Sequence, residues 1–391
     1  MTSSSASDTN AGRLLAAKRL VVKIGSALFV EQHTGALDRA WLEGLCADVA
    51  DLRRAGKEVV IVSSGAVALG ARELELDPRR ARLEESQAAA AAGQILLAHA
   101  YQETLRAFGI RTAQVLLTLD DSESRKRYLN ASRTLLTLLR HGVVPVVNEN
   151  DTVATQELRY GDNDRLAARV AQMVTAECLI ILSDVDGLYT ADPQTDTAAE
   201  HIGEVTALEP AFWSMAGGPK SSHGSGGMRT KLHAARIAMG AGCRMAIASG
   251  RVLRPLDALQ RGGRATWFLP RATPGAARKQ WIAGTLQPKG AIRVDEGAAR
   301  ALAAGRSLLS AGVVGVDGQF ERGDAVRVLA SDGAELGRGL VGYSAEESRA
   351  IAGRRSNDIE AVLGYRGRDE MIHRDDLVLT QAGTGTGDRG I

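Results

Sequence analysis

The chain has 391 residues, 45% hydrophobic and 24% charged, with 48 Lys+Arg against 46 Asp+Glu for a formal net charge of +2. That balance excludes disorder of the whole chain and provides no global field for nucleic acid or an anionic membrane. No run of about 18 apolar residues is present to span a bilayer, and the length predicts two or three domains.

Residues 1–13 are rich in Ser, Thr, Ala and Asn, without the basic end and apolar core of a signal peptide. They read as an unstructured start, with the cytoplasm as default location. Leu20-Val21-Val22-Lys23-Ile24 predicts a buried strand ending in Gly25-Ser26. Residues 39–54 set Trp41, Leu45, Val49 and Leu52 on one helical face, and Gly56 closes that helix. Val59–Val62 is a second buried strand, running into Ser63-Ser64-Gly65 and a helix. A long Ala-rich helix over 85–107, a strand over 112–117, a helix over 129–140 and a strand over 143–147 follow. Helix 164–173, strand 178–182, a Gly-rich stretch over 217–227, helix 229–239 and strand 244–248 continue the alternation. Strands apolar throughout, alternating with helices, predict an α/β fold with a parallel sheet covered on both faces.

The texture changes near residue 270. Pro and Gly crowd 269–290 and predict a linker with some local structure. Short strands at 291–294, 313–316, 325–329 and 335–341, and helices near 345–352 and 356–363, predict a compact strand-rich unit. The Gly/Thr run Gly383–Gly387 reads as a disordered tail. Cys46, Cys178 and Cys243 are odd in number and far apart, which argues against a disulfide framework or structural zinc.

Ligands of open parallel sheets bind beyond the carboxyl ends of the strands. Those ends carry Lys23, Gly25 and Ser26; Ser63, Ser64 and Gly65; Asn148, Glu149, Asn150 and Asp151; and Ser183, Asp184 and Asp186. Lysine is scarce, eight against 40 arginines, so Lys23 between Val22 and Ile24 needs a reason beyond reaching water. There is no GxxxxGK[ST] and no GxGxxG at the first helix. Gly224-Ser225-Gly226-Gly227-Met228-Arg229-Thr230-Lys231 instead opens a helix with glycines and a rare lysine. Its backbone N–H groups could hold phosphate oxygens, or it could be a flexible loop with a solvated lysine. Asn148–Asp151 and Gly161-Asp162-Asn163-Asp164 suit simple turns, with Asp164 as a helix cap. Two such clusters with Thr152 and Thr155 between them suit a polar binding loop. His99, His201, His223 and His233 lack ligand spacing and read as structural or surface residues.

Val21-Val22-Lys23-Ile24-Gly25-Ser26 resembles the opening motif of the amino acid kinase superfamily. Val62–Val67, Val147–Val153, Gly161–Asp164, Asp184–Pro193 and Gly226–Lys231 are together similar to the glutamate 5-kinases of that superfamily. Asp324-Ala325-Val326 and Arg338-Gly339-Leu340 resemble the PUA domain that many bacterial members carry. Ser183 and Ser225 stand where members often have Thr, and both keep a hydroxyl. The resemblance covers roughly residues 14–380. It implies a three-layer sandwich with a mostly parallel central sheet over 14–269, a linker over 270–287, a small β-rich PUA domain over 288–380 and a tail over 381–391.

The reaction so implied is transfer of a phosphoryl group from ATP to the γ-carboxylate of L-glutamate, giving L-glutamyl 5-phosphate, the first step of proline biosynthesis. Lys23 and Lys231 would stabilise the phosphoryl group, with Asp164 orienting both. Ser64, Asp151 and Asn163 match glutamate-binding positions. Lys23, Gly25, Ser183, Asp184, Ser225, Gly226, Gly227, Met228, Arg229, Thr230 and Lys231 match nucleotide-binding ones. Mg²⁺ is expected with ATP, held mainly by phosphates and water, so no protein ligand is named. Proline as feedback inhibitor, a homodimer or homotetramer, and hand-off to glutamyl phosphate reductase also follow from the resemblance.

Two rival readings remain open. Another acceptor, such as carbamate, aspartate, N-acetylglutamate or a nucleoside monophosphate, would keep the fold; an acceptor without an ammonium group would give Asp151 no partner. An RNA-binding accessory role would rest on the second domain. Against it, residues 288–380 carry 13 Lys/Arg and 15 Asp/Glu, whereas RNA binders are usually net basic.

Overall fold

The computed structural model of the chain describes residues 9–31, 34–77, 80–153, 163–216, 227–285 and 287–380. The chain divides into two compact units at Pro274/Gly275. The first is built on β1 (Arg19–Ile24), β2 (Glu58–Ser63), β3 (Thr112–Leu117), β4 (Val144–Glu149) and β5 (Cys178–Ser183). A small hairpin, β6 (Leu188–Tyr189) and β7 (His201–Ile202), precedes β8 (Glu204–Val205), β9 (Arg244–Ser249) and β10 (Ala265–Phe268). Eight of these strands form one sheet in the order β3-β4-β2-β1-β5-β9-β10-β8. All its pairings are parallel except β9 with β10. β1 lies between β2 and β5, with Leu20 opposite both Val59 and Cys178. That mostly parallel sheet, covered by helices on both faces, is the α/β sandwich expected.

Alternation along each strand divides the core in two. Leu20, Val22 and Ile24 join Ile61, Ile180 and Leu182 under α2 (Arg39–Arg54) and α4 (Leu83–Ala107), which contribute Leu45, Val49, Leu97 and Tyr101. Val21, Val60, Leu179 and Ile181 face α6 (Arg125–Arg140), α7 (Asn163–Met173) and α9 (Met228–Gly240), which contribute Leu139, Val170 and Leu232, while α5 (Leu119–Glu123), α8 (Pro210–Met215) and α10 (Pro255–Gln260) are short helices between the larger elements. Burying one such aliphatic side chain contributes about 1.5–3 kcal/mol. The same alternation decides the chemistry. Lys23 follows Val21 on the α7/α9 face, and Ser183 follows Ile181 there, while Asn148 follows Val146 toward α4.

A short helix, α3 (Ala66–Glu73), starts from Gly65 in the left-handed conformation at φ +103°. A Cβ at Gly65 would also press on Phe29 and Val30 at 3.2 and 3.3 Å. α3 crosses α4 at backbone contact: a Cβ on Gly70 would stand 1.7 Å from the carbonyl oxygen of Ala89, and one on Gly93 1.8 Å from that of Ala66.

The start of the chain differs from expectation at residues 9–13. Thr9 caps α1 (Asn10–Leu15), accepting from the Gly12 amide, and Leu14 is buried. Asn10 donates to the Gly263 carbonyl at 2.7 Å and accepts from Trp267 Nε1 at 2.7 Å. Arg13 lies over the Trp267 ring, 5.5 Å from its centroid, and pairs with Glu204. Polar composition concealed these specific partners. Residues 1–8 and 381–391 lie outside the described residues.

Within 270–287, expected as a linker, residues form α11 (Pro274–Thr285). The second unit has a five-stranded sheet in the order Val313–Gly318, Gly290–Val294, Ala325–Leu329, Glu335–Leu340 and Leu377–Leu379. Ile292, Val326, Val328, Val341 and Met371 form its core.

Candidate active site

The carboxyl end of β1 meets the first turns of α7 and α9. Lys23 and Lys231 are both buried, and both point their ammonium groups at Asp164, which is 1% exposed. Lys23 Nζ stands 2.7 Å from Asp164 Oδ1, and Lys231 Nζ 3.2 Å from Oδ2. Thr230 Oγ1 donates to the same Oδ2 at 3.0 Å. Burial by itself would raise the Asp164 carboxyl, but the Lys23 and Lys231 ammoniums outweigh it and hold the group well below the usual carboxylate range. Two cations on one anion leave this joint with a surplus positive charge, which favours a further anion.

The surroundings suit a polyphosphate. Gly25 follows β1, and a Cβ there would meet only Leu182 O and Lys23 Nζ, each at 3.9 Å. Ser183 ends β5 and Asp184 follows it: Ser183 Oγ donates to Asp184 Oδ1 at 2.9 Å, and the Ser183 carbonyl accepts from the Gly250 amide at 2.7 Å. α9 begins at Met228 after Gly227, whose lack of a side chain leaves the first-turn amides without side-chain capping. Met228, Arg229 and Thr230 lie in that turn. Ser225 and Gly226 lie outside the described residues, as do Gly161, Asp162, Thr155 and His223.

A second polar cluster adjoins the first through the neighbouring residue of α7. Asn163 Nδ2 donates to Ser64 Oγ at 2.7 Å and lies 3.3 Å from Asn148 Oδ1. Asn148 Oδ1 also accepts from the Glu149 amide at 2.9 Å, and its Nδ2 donates to Gln94 Oε1 at 2.7 Å. Asp151 opens a short 3₁₀ turn that packs on α4, and burial pushes its carboxyl up from 3.8 to about 6. Asn148–Asp151 is thus a strand end and turn whose polar side chains also build a cluster. Gln94, which bonds Asn148, carries no motif in the sequence. Its only signal there is a lone amide between Ala88–Gly93 and Ile95-Leu96-Leu97 on the α4 face that packs inward.

His201 meets the Tyr189 ring edge-on with ring centres 5.2 Å apart, and His233 packs at a tilt on Trp213 at 4.7 Å, as structural residues do. The three cysteines are free and buried. Among the described residues, no group of three or more His, Cys, Asp or Glu side chains could hold a metal. The carboxylate at the centre, Asp164, is already neutralised by lysines, so the donor set fits no resident cation. Among the same residues, no helix is long and apolar enough to cross a membrane.

The amino acid kinase family matches residues 18–249, and the PUA domain matches residues 290–363. The glutamate 5-kinase of Paramagnetospirillum magneticum is 62% identical over 94% of this chain and 99% of its own. The chain belongs to the amino acid kinase family, in its glutamate 5-kinase branch. The enzyme of Rhodospirillum rubrum named glutamate 5-kinase is 61% identical over 92% of this chain and 96% of its own, and that of Rhizobium rhizogenes 57% over 93% of each. Every motif that carried the resemblance lies within the matched spans.

Proposed function

We propose that the chain phosphorylates the γ-carboxylate of L-glutamate with MgATP, forming L-glutamyl 5-phosphate for proline biosynthesis in the cytoplasm. The observation that carries this reading is the buried Lys23–Asp164–Lys231 joint at the end of β1, in a chain of this family. A γ-carboxylate oxygen attacks the γ-phosphorus, the bond from that phosphorus to the β,γ-bridging oxygen breaks, and ADP leaves. The acceptor, with a reference pKa of about 4.3, is ionised at neutral pH, so no general base is required. Aligning two anions and neutralising the transferring group is the remaining task. Lys23 and Lys231 approach from a strand and a helix, and Asp164 holds their ammoniums together until phosphate oxygens compete for them. Mg²⁺, arriving with the nucleotide as part of the substrate, supplies charge neutralisation on the phosphates. Gly25, Ser183, Asp184 and residues 225–231 are assigned to the nucleotide, and Ser64, Asp151 and Asn163 to glutamate. The test is hydroxylamine trapping of the acyl phosphate across L-glutamate, L-aspartate, N-acetylglutamate and carbamate. A hydroxamate with L-glutamate supports the reading, and product only with another acceptor overturns it.

Asp151 gives a pH signature. Its carboxyl, raised to about 6 by burial, must be ionised to hold the α-ammonium. As pH falls through that value, kcat/KM for glutamate should fall roughly tenfold per unit. The sign for stability is opposite: burial penalises the charged form, so this group destabilises the fold as pH rises from 3.8 through about 6. Asp151→Asn should raise the glutamate KM about tenfold or more and remove the inflection near 6 while leaving the ATP KM unchanged. An unshifted pH profile in a folded Asp151→Asn enzyme would place the residue outside the glutamate site.

Proline shares glutamate's α-carboxylate and a cationic amine, so it is assigned the same polar cluster as a feedback ligand. The acyl phosphate is labile, which calls for a reductase that consumes it promptly, and a homo-oligomer is the assembly proposed. The catalytic assignments all lie between residues 23 and 231. A chain ending at Pro274 should therefore melt cooperatively and retain glutamate phosphorylation within a few-fold of the full chain. A folded truncation without turnover would mean that the PUA-containing unit completes the site.

A further inference from the structure

We infer that Gln94 is a specificity-determining residue that donates from Nε2 to the α-carboxylate of the acceptor; the inference rests on the glutamate reading above. The Glu149 amide can only donate, so Asn148 must present its Oδ1 to it. Asn148 Nδ2 is then the donor toward Gln94, at 2.7 Å, and Gln94 must present Oε1. One backbone N–H thereby sets the direction of both amides, an assignment otherwise open to a flip. The consequence is that Gln94 Nε2 faces away from the network with both of its hydrogens. The side chain is only 8% exposed, and Nε2 is buried without a hydrogen-bond partner among the described residues.

The same logic reaches Asn163. Its Nδ2 is committed to Ser64 Oγ and Asn148 Oδ1, so its Oδ1 is left as a buried acceptor without a partner among the described residues. Ser64 Oγ accepts from Asn163, which leaves the Ser64 hydroxyl hydrogen available. Among the described residues, the cluster therefore ends in unused donors at Gln94 and Ser64 and an unused acceptor at Asn163. An α-amino acid offers the complement: a carboxylate for the donors and an ammonium for the acceptor. Burying an amide donor unpaired is unfavourable, and a ligand carboxylate would remove that penalty while making a charge-assisted bond. Placement agrees. Gly93 brings α4 into backbone contact with Ala66 in the first turn of α3, and the Asp151 turn packs on α4. Gln94 is the next residue along, bonded to Asn148 and joined through Asn148 and Asn163 to Ser64. The γ-carboxylate belongs near Lys23 and Lys231, so the α-carboxylate is the group left for Gln94.

The test compares the full-length enzyme with Gln94→Met, which keeps length and removes both donors together with the Oε1 acceptor, and Gln94→Glu, which still accepts from Asn148 but presents a carboxylate to the ligand. Steady-state KM for L-glutamate and ATP, and thermal melts without ligand, are measured for each. Gln94→Met should raise the glutamate KM roughly ten- to a hundredfold, with the ATP KM within about twofold; the melting temperature should fall modestly, because Asn148 Nδ2 loses its Oε1 acceptor. Gln94→Glu should raise it further through like-charge repulsion. With 4-aminobutyrate, which lacks the α-carboxylate, kcat/KM should be indifferent to Gln94→Met. A folded Gln94→Met enzyme with an unchanged glutamate KM would overturn the inference and leave these donors to water. So would equal rises in the KM values for glutamate and ATP, which mark a structural role. Wild-type enzyme that forms no hydroxamate from L-glutamate would instead overturn the functional reading, and this inference with it.

Discussion

Lys231→Ala and Lys23→Ala are each expected to lower kcat by roughly 10²–10³-fold, the effect of removing one preorganised charge-stabilising donor. The glutamate KM should change little. Each ammonium reaches Asp164 across no more than 3.2 Å and is buried, so neither is a surface charge that solvent could replace. Charge builds on the equatorial oxygens of the phosphoryl group as it transfers, and an interaction that strengthens there acts on kcat. Lys→Arg should rescue incompletely at either position, because a planar fork cannot occupy the place of a compact ammonium on Asp164. A folded Lys231→Ala enzyme with near-normal kcat would remove that lysine from the chemistry.

Asp164→Asn should have the largest effect on stability. It leaves two buried ammoniums without their counter-charge, a change that commonly costs about 3–5 kcal/mol. In a unit of this size that lowers the melting temperature by roughly 6–20 °C. The native carboxyl is held well below its usual range by Lys23 and Lys231 against the opposing effect of burial. Its stabilisation is therefore present above the unfolded value of 3.8 and lost as pH falls toward the lowered native one. The gap in melting temperature between wild type and Asp164→Asn should narrow on acidification below the ordinary carboxylate range. MgATP should restore more stability to the variant than to the wild type, because its phosphates supply the missing negative charge. Equal melts across pH would mean that the two lysines do not depend on Asp164. Turnover should also fall, since lysines that repel one another no longer share one position.

The parts of this site readable from sequence are those that violate a local pattern. Lys23 interrupts an apolar strand in a chain poor in lysine, and strand alternation put it on the face where Asp164 and Lys231 stand. The polar strand ends at Ser64, Asn148 and Ser183 were readable because parallel sheets collect ligands there. Gln94 was not readable, since a single amide inside an Ala-rich helix looks like any tolerated polar residue. Only the Gly70/Gly93 crossing, a contact between helices that sequence pattern does not specify, carries it to Ser64. β8 and β10 escaped for a related reason: two- and four-residue strands give too few positions for a period. The folded start at Thr9–Leu15 rests on pairing to Gly263, Trp267 and Glu204, some 190 residues or more away, which composition cannot report.

The central claim is direct transfer of the phosphoryl group to a carboxylate oxygen held beside two lysines. It is tested most directly with L-glutamate labelled with ¹⁸O in its γ-carboxylate. If that oxygen attacks phosphorus, it becomes the bridge of the acyl phosphate. When the α-amine later displaces phosphate from the acyl carbon, the oxygen leaves with the phosphorus. The account predicts inorganic phosphate carrying one ¹⁸O for each ADP formed, and loss of that signal in Lys231→Ala in proportion to turnover. Phosphate without ¹⁸O, released with ADP at the wild-type rate, would mean that water and not glutamate receives the phosphoryl group, and would contradict it.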